Sequence, residues 1–127
     1  MARILIVEDD VDCADLLSML LDAEGHAVSV ARTGEAALAA VAAARPDVVL
    51  MDLGLPGEVD GLEATRRMRA AEATAAVPVL LVTAFPLVEV RDAASEAGVD
   101  AVYSKPLTDL VEFAERVARV AVAGRAA

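Results

Sequence analysis

Residues 4–10 of the chain have the sequence ILIVEDD, in which four branched apolar residues precede three carboxylates. A short, continuous apolar run of this kind is typical of a β-strand that is buried on both faces of a parallel sheet. Directly after the acids, leucines at positions 16, 17, 20 and 21 follow helical spacing. The stretch therefore predicts a strand–helix unit with carboxylates at the carboxyl end of its strand.

The same alternation of strand and helix continues along the whole chain. Apolar runs predict five strands, over residues 4–7, 27–30, 48–51, 77–82 and 99–104. Helical periodicity predicts five helices, over residues 12–24, 34–45, 61–73, 87–97 and 107–122. Five strand–helix units with short connections predict an α/β fold of three layers, in which helices cover both faces of a parallel sheet.

Residues with capping chemistry stand at the expected helix ends. Thr33 precedes the second helix, and Gly25 and Gly98 follow the first and fourth helices. Asp60 and Glu63 have the spacing of a capping box at the start of the third helix. Each cap supports the element boundaries that the apolar pattern predicts.

Composition limits the class of function. The 127 residues contain 11 Lys+Arg and 21 Asp+Glu, which gives a net charge of −10, and only 2% are aromatic. Such a surface disfavours direct binding to nucleic acid or to an anionic membrane. A single cysteine excludes an internal disulfide framework and fits a reducing compartment, so we expect a cytoplasmic protein. Because no segment has the composition of a linker between domains, we expect one domain over residues 1–127.

Polar residues follow four of the predicted strands. They are Glu8 and Asp9 after the first, Asp52 after the third, Thr83 at the end of the fourth, and Lys105, the only lysine, after the fifth. Because the carboxyl ends of parallel strands share one edge of the sheet, these groups should converge there. Two carboxylates about 4 Å apart repel by ~4 kcal/mol at an effective dielectric near 20. Hard oxygen ligands without sulfur or imidazole therefore favour Mg²⁺ at this edge.

Four segments together resemble the receiver domain of two-component response regulators: ILIVEDD at 4–10, MDLGLPG at 51–57, VTA at 82–84 and SKPL at 104–107. The resemblance covers essentially the whole chain. It implies a doubly wound (βα)5, flavodoxin-like fold with strand order 2-1-3-4-5. It also implies a non-enzymatic signalling module and a cis peptide bond between Lys105 and Pro106.

The resemblance assigns roles to individual residues. Asp52 would accept a phosphoryl group from a sensor histidine kinase or a histidine phosphotransfer protein, while Thr83 and Lys105 would bind phosphoryl oxygens. A Mg²⁺ site would be formed by Glu8, Asp9, Asp52 and the main-chain carbonyl of Gly54. A downstream protein partner or effector domain would follow, and a homodimer could form through the surface of helix four, strand five and helix five.

The chain departs from the family pattern in three places. Val102 stands where the family usually has an aromatic residue, and Tyr103, one position later, should face the other side of the sheet. The loop from Gly57 to Gly61 is one residue longer than the common pattern. Gly54 and Phe85, at positions that influence water attack in the family, predict slow to moderate self-dephosphorylation because neither residue has a side-chain donor that could orient water.

Three alternatives stay open from the sequence. A flavodoxin would share the architecture, but Glu8, Asp9 and Asp10 would repel a flavin phosphate. A haloacid-dehalogenase-type phosphatase needs an Asp-x-Asp pair, which Glu8 and Asp10 match only with glutamate as the nucleophile. A receiver-like interaction module could also act without phosphorylation. His26 and Cys13 are interpreted as structural residues.

Overall fold

Five strands alternate with five helices in a computed structural model that describes residues 1–125. The order is β1 (Arg3–Val7), α1 (Val11–Ala23), β2 (Ala27–Ala31), α2 (Gly34–Ala43), β3 (Val48–Met51), α3 (Gly61–Ala70), β4 (Val79–Thr83), α4 (Leu87–Ala97), β5 (Ala101–Ser104) and α5 (Leu110–Ala123). The expected domain over 1–127 includes residues 126 and 127, which lie outside the described residues. Within 1–125, no helix has the length and apolar character needed to cross a bilayer.

All five strands are parallel, in the order β2-β1-β3-β4-β5. The predicted α/β class and strand order are therefore confirmed. The chain leaves β1 towards β2 on one side and returns to β3 on the other, so the change of direction lies between β1 and β3. In such sheets the crevice at the carboxyl ends of these two strands is the usual ligand site.

The sheet separates two apolar cores. Alternate residues of β1 point to opposite faces: Leu5 and Val7 contribute to the core beneath α2, α3 and α4, while Ile4 and Ile6 contribute to the core beneath α1 and α5. All four of these side chains are buried. Burial of each contributes about 1.5–3 kcal/mol, and this two-sided burial explains why the strand is a continuous apolar run.

Capping at the helix starts follows the prediction with one exception. The Thr33 hydroxyl accepts a hydrogen bond from the backbone N–H of Ala36, and the Asp60 carboxylate accepts one from that of Glu63. The reciprocal half of the expected capping box is not formed. Instead, the Glu63 carboxylate pairs with Arg66 and Arg67 on the next turn of α3.

Several predicted boundaries are wrong by two or three residues. The third helix ends at 70 rather than 73, and the second at 43 rather than 45. The fourth strand begins at 79 rather than 77 because Pro78 has no N–H to donate, and the fifth begins at 101 rather than 99. The fifth helix begins at 110 rather than 107 because the Asp109 side chain caps the backbone N–H of Glu112. The remaining boundaries agree within one residue, as helix and strand ends usually do.

Candidate functional site

The carboxyl edge of the sheet brings four of the predicted side chains together. Glu8 and Asp9 follow β1, and Asp52 follows β3. One carboxylate oxygen from each lies within 4.8 Å of the others. The Lys105 Nζ, which follows β5, lies 3.6 Å from Asp52 Oδ2 and forms an ion pair with Glu8.

Glu8 is the buried member of the cluster, with only 2% of its surface exposed. Its carboxylate accepts hydrogen bonds from the Lys105 ammonium and from the backbone N–H of Asp10, the latter at 3.2 Å. Burial alone would raise the pKa of Glu8, but the hydrogen bonds, that of Lys105 first, hold it below its ordinary value. Glu8 is therefore ionised and fixed in place at neutral pH.

The pKa of Asp52 is shifted in the opposite direction to that of Glu8. Burial, followed by the hydrogen bond and the negative charge of Glu8, raises the pKa of Asp52 from 3.8 to about 6, although Lys105 and the backbone of Gly54 work against the rise. A carboxylate with a raised pKa is a better nucleophile and a poorer leaving group than an ordinary one. At neutral pH it is still mostly ionised, so it can attack an electrophile.

The Lys105 ammonium balances these two carboxylates. Burial by itself would lower the pKa of Lys105, but the Glu8 hydrogen bond and the Asp52 charge raise it above the ordinary value. Its backbone N–H donates to the Thr83 carbonyl at 2.8 Å, and its peptide bond to Pro106 is cis, as the resemblance implies. One fixed cation thus serves two anions and leaves the third, that of Asp9, exposed to solvent.

Thr83 and Gly54 lie beside the carboxylate cluster. The Thr83 side chain forms no hydrogen bond with these carboxylates, and Gly54 has no side chain. Thr83 is fully buried, and its hydroxyl oxygen accepts a hydrogen bond from the backbone N–H of Phe85 at 3.1 Å. That arrangement leaves the hydroxyl proton available for another acceptor. Gly54 is exposed near the Phe85 ring, and a Cβ atom at Gly54 would lie 3.5 Å from Cε2 of that ring. The metal-binding role of its carbonyl stays a prediction.

Two residues that the sequence pattern did not assign to the site, Gly61 and Cys13, also lie close to it. Gly61, expected only to begin α3, packs so closely that a Cβ atom would lie 2.2 Å from the backbone oxygen of Asp52. Cys13, interpreted as a packing residue, places its thiol beside Glu8; burial and that carboxylate raise the thiol pKa to about 11. Neither signal is visible in the sequence, since both depend on how α1 and α3 meet the sheet edge.

Val102, which stands where the family usually has an aromatic residue, and Tyr103 face opposite sides of the sheet, as strand alternation predicts. Val102 packs against the core beneath α2, α3 and α4. The Tyr103 ring meets Phe113 on the other face, with ring centroids 4.9 Å apart and planes at 85°. Tyr103 therefore cannot replace an aromatic side chain at Val102. His26, at the amino end of β2, accepts a hydrogen bond from the backbone N–H of Ala2 and lies away from the carboxylates.

A family model of the response regulator receiver domain matches residues 4–118. The chain belongs to this family. This receiver domain is 37% identical over 117 residues to the DNA-binding dual master transcriptional regulator RpaA of Synechocystis sp.. The match covers 92% of the chain and 48% of RpaA, so the chain spans about half the length of that relative.

Solved receiver structures have the same fold. Chemotaxis protein CheY4 of Vibrio cholerae superposes with a TM-score of 0.86 at 27% identity, covering 94% of this receiver domain and 98% of CheY4. The receiver domain of sensor histidine kinase PA1611 from Pseudomonas aeruginosa gives 0.87 at 30% identity, covering 96% and 98%. That second structure has a magnesium ion coordinated in its active-site cleft.

Proposed function

We propose that Asp52 accepts a phosphoryl group from a phosphohistidine on a sensor histidine kinase or a histidine phosphotransfer protein. One observation carries the proposal: Asp52 is a largely buried carboxylate with a raised pKa, and the Lys105 ammonium lies 3.6 Å from it. A carboxylate oxygen of Asp52 would form a bond to phosphorus as the phosphorus–nitrogen bond breaks. The imidazole would leave with the bonding electrons, and it would be neutral because its other ring nitrogen already carries a proton or because the leaving nitrogen takes one up from water.

The three clustered carboxylates fit a hard divalent cation. Glu8, Asp9 and Asp52 offer only oxygen, and their net charge exceeds what Lys105 neutralises. We assign Glu8, Asp9, Asp52 and the Gly54 carbonyl to Mg²⁺, which when bound would offset negative charge on the phosphoryl oxygens. Asp9, exposed and without the lysine as a partner, is the ligand most open to a hydrated ion.

Lys105 and Thr83 would bind the phosphoryl oxygens. Phosphoryl transfer requires positioning and neutralisation of dispersed charge more than covalent assistance, so a fixed ammonium and a hydroxyl donor suit it. Lys105 would have to give up part of its contact with Glu8 to follow the new dianion on Asp52. This shift of one ammonium from one partner to another is the conformational signal closest to the chemistry.

Phosphorylation can be tested with acetyl phosphate and MgCl₂. We expect intact-mass analysis to show one added phosphoryl group on the wild type, none on Asp52→Asn, and none on the wild type in excess chelator. Asp92→Asn, which removes an exposed carboxylate on α4, is the matched control and should behave as wild type. An unmodified wild type at donor saturation would instead favour the interaction module that acts without phosphorylation.

Once formed, the acyl phosphate should be lost at a slow to moderate rate. Gly54 has no side chain, and the nearby Phe85 ring can neither donate nor accept a strong hydrogen bond, so neither can hold an attacking water. Introducing an amide with Gly54→Asn should shorten the phosphoryl half-life, measured by loss of the added mass after the donor is removed. A wild-type half-life of a few seconds would contradict this explanation.

We further propose that residues 1–127 form one receiver domain. This domain would act as a phosphoacceptor rather than as an enzyme, and it would do so in the cytoplasm. Its output would pass to a downstream protein or effector domain, with dimerisation through α4, β5 and α5 as one route. The lone, half-buried Cys13 is consistent with a reducing compartment. Size-exclusion chromatography with and without acetyl phosphate tests the dimer.

A further inference from the structure

Residues 52–60 connect β3 to α3 and carry both Asp52 and Gly54, so we call this segment the acceptor loop. The backbone N–H of Asp52 donates to the Val7 carbonyl at 2.9 Å, which extends the sheet to the first residue of the loop. Gly54, whose carbonyl we assign to Mg²⁺, is exposed and lies beyond the paired part of β3. The position of that carbonyl is therefore fixed by contacts within and beneath the loop.

Backbone hydrogen bonds and two buried side chains hold the rest of the acceptor loop. The Leu53 carbonyl accepts from the backbone N–H of Leu55 at 2.9 Å and from that of Gly61 at 3.0 Å. The Leu55 and Val59 side chains, 7% and 2% exposed, lie in the core beneath α2, α3 and α4. Gly54 stands between the hydrogen-bonded Leu53 and the buried Leu55, so its carbonyl moves whenever the loop shifts over that core.

The first residue of α2, Gly34, packs directly against the acceptor loop. It is buried, and a Cβ atom there would lie 2.2 Å from the backbone oxygen of Val59 and 2.6 Å from its Cγ1. The neighbouring Glu35 also lies against the loop, since a Cβ atom at Gly57 would come 3.4 Å from its Oε2. The start of α2 therefore supports the loop from one side, and the lack of a side chain at Gly34 allows the close approach.

A methyl group at position 34 would have to displace either α2 or the acceptor loop. Atoms 2.2 Å apart need a shift of at least about 1 Å to reach ordinary contact, and rotation of the Val59 side chain cannot supply it because the backbone oxygen is closest. The helix is held by the Thr33 cap and by the buried Ala37, whereas the pairing of β3 with its neighbours ends at Met51. We therefore expect the loop to move rather than the helix.

We propose that Gly34 is a positioning residue for the Mg²⁺ site, because its contact with Val59 sets where the acceptor loop holds the Gly54 carbonyl. The inference rests on the proposed function and extends it to a residue of α2. Mg²⁺ requires near-octahedral geometry with oxygen ligands at about 2.0–2.1 Å, so the shift of one ligand by a fraction of an ångström weakens binding. Changes to residues that orient a metal ligand typically lower metal affinity by about 10–100-fold.

The test is an NMR titration of the ¹⁵N-labelled chain with MgCl₂, followed through the backbone amides at the carboxyl edge of the sheet. We expect Gly34→Ala to raise the Mg²⁺ dissociation constant about tenfold, and to shift the acceptor-loop amides already in the metal-free protein. Gly98→Ala is the matched control, because its Cβ would lie 2.8 Å from Arg69 Cγ at the opposite edge of the sheet. It should lower the midpoint of urea unfolding as Gly34→Ala does, but change the dissociation constant by less than about twofold.

A second variant, Val59→Ala, decides the outcome if the amide spectrum shows that Gly34→Ala does not fold. It removes two buried methyl groups without creating a clash, so the loop loses part of its contact with α2. We expect the Mg²⁺ dissociation constant to rise about threefold. Val117→Ala truncates a valine that is equally buried in the core beneath α1 and α5, and it should leave the dissociation constant within about twofold of the wild-type value.

Three results would overturn the positioning role of Gly34. Equal Mg²⁺ affinity in the wild type, Gly34→Ala and Val59→Ala would do so and leave the phosphoacceptor proposal intact. An equal loss of affinity in Gly34→Ala and Gly98→Ala would also do so, because it would indicate general destabilisation rather than displacement of the loop. A wild type whose amides do not shift in saturating MgCl₂ would overturn the Mg²⁺ assignment itself and this inference with it, so the two failures are distinguishable.

Discussion

Replacing Asp52 by asparagine should make the metal-free protein more stable at neutral pH. The Asp52 side chain is 12% exposed, and burial together with Glu8 raises its pKa from 3.8 to about 6. An acid whose pKa is higher in the folded than in the unfolded protein destabilises the fold when it ionises, here by about 2–3 kcal/mol. Asparagine resembles the protonated carboxyl group in shape but cannot ionise, so the variant should lack this penalty.

The pH dependence of that difference follows from the two pKa values. Below 3.8 the Asp52 carboxyl group is protonated in both states, and wild type and Asp52→Asn should have similar free energies of unfolding. As the pH rises towards about 6, the unfolded state releases its proton first, so the wild type loses stability relative to the variant. Above about pH 7 the full difference should be reached and remain constant.

Urea unfolding followed by circular dichroism, in chelator and at a series of pH values, measures this difference. Asp92→Asn should follow the wild type throughout, since its carboxylate is exposed on α4. Added MgCl₂ should stabilise the wild type more than Asp52→Asn, because a ligand that binds only the folded state raises its stability. An Asp52→Asn variant no more stable than wild type at neutral pH, or a gain that persists in acid, would refute the reasoning.

Three further predictions concern residues around the site. The thiol pKa of about 11 at Cys13 should make iodoacetamide react about a hundredfold more slowly with folded than with urea-unfolded protein near pH 8; equal rates would show an ordinary thiol. Gly61→Ala should lower the free energy of unfolding by about 3 kcal/mol or more, because its Cβ would lie 2.2 Å from the Asp52 oxygen. Gly54→Ala, whose Cβ would have 3.5 Å of clearance, should cost less than about 1 kcal/mol by the same urea assay, and equal costs would contradict the packing argument. Lys105→Met should destabilise the protein by about 2–4 kcal/mol at neutral pH, since it leaves buried carboxylate charge unpaired; unchanged urea unfolding would show that the ion pair contributes nothing to the fold.

Much of the fold could be predicted from local patterns. The apolar run from Val48 to Met51 is buried on both faces as expected, and Thr33 caps α2 through the hydroxyl that the sequence shows. Boundaries were less predictable where a turn competes with a strand. Val77 is as apolar as its neighbours, but its N–H donates to Thr74 in a turn, and β4 starts only after Pro78.

The sequence predicted which residues meet at the candidate site, but it did not predict which carboxylate pairs with Lys105. Strand ends in a parallel sheet share an edge, so Asp9, Asp52 and Lys105 had to converge whatever their side-chain conformations. Which carboxylate takes the ammonium depends on distances of a few ångströms. The structure gives that ammonium first to Glu8, a preference that no spacing in the chain contains.

By itself, the sequence determined the five strand–helix units, the parallel sheet, and the acids and single lysine at its edge, because hydrophobic period and strand ends are properties of neighbouring residues. Only the tertiary structure decided the raised pKa of Asp52 and the close approach of Gly61 to the Asp52 backbone. Those features arise from desolvation and from contacts between residues distant along the chain. Both depend on how the layers pack, which local composition does not specify.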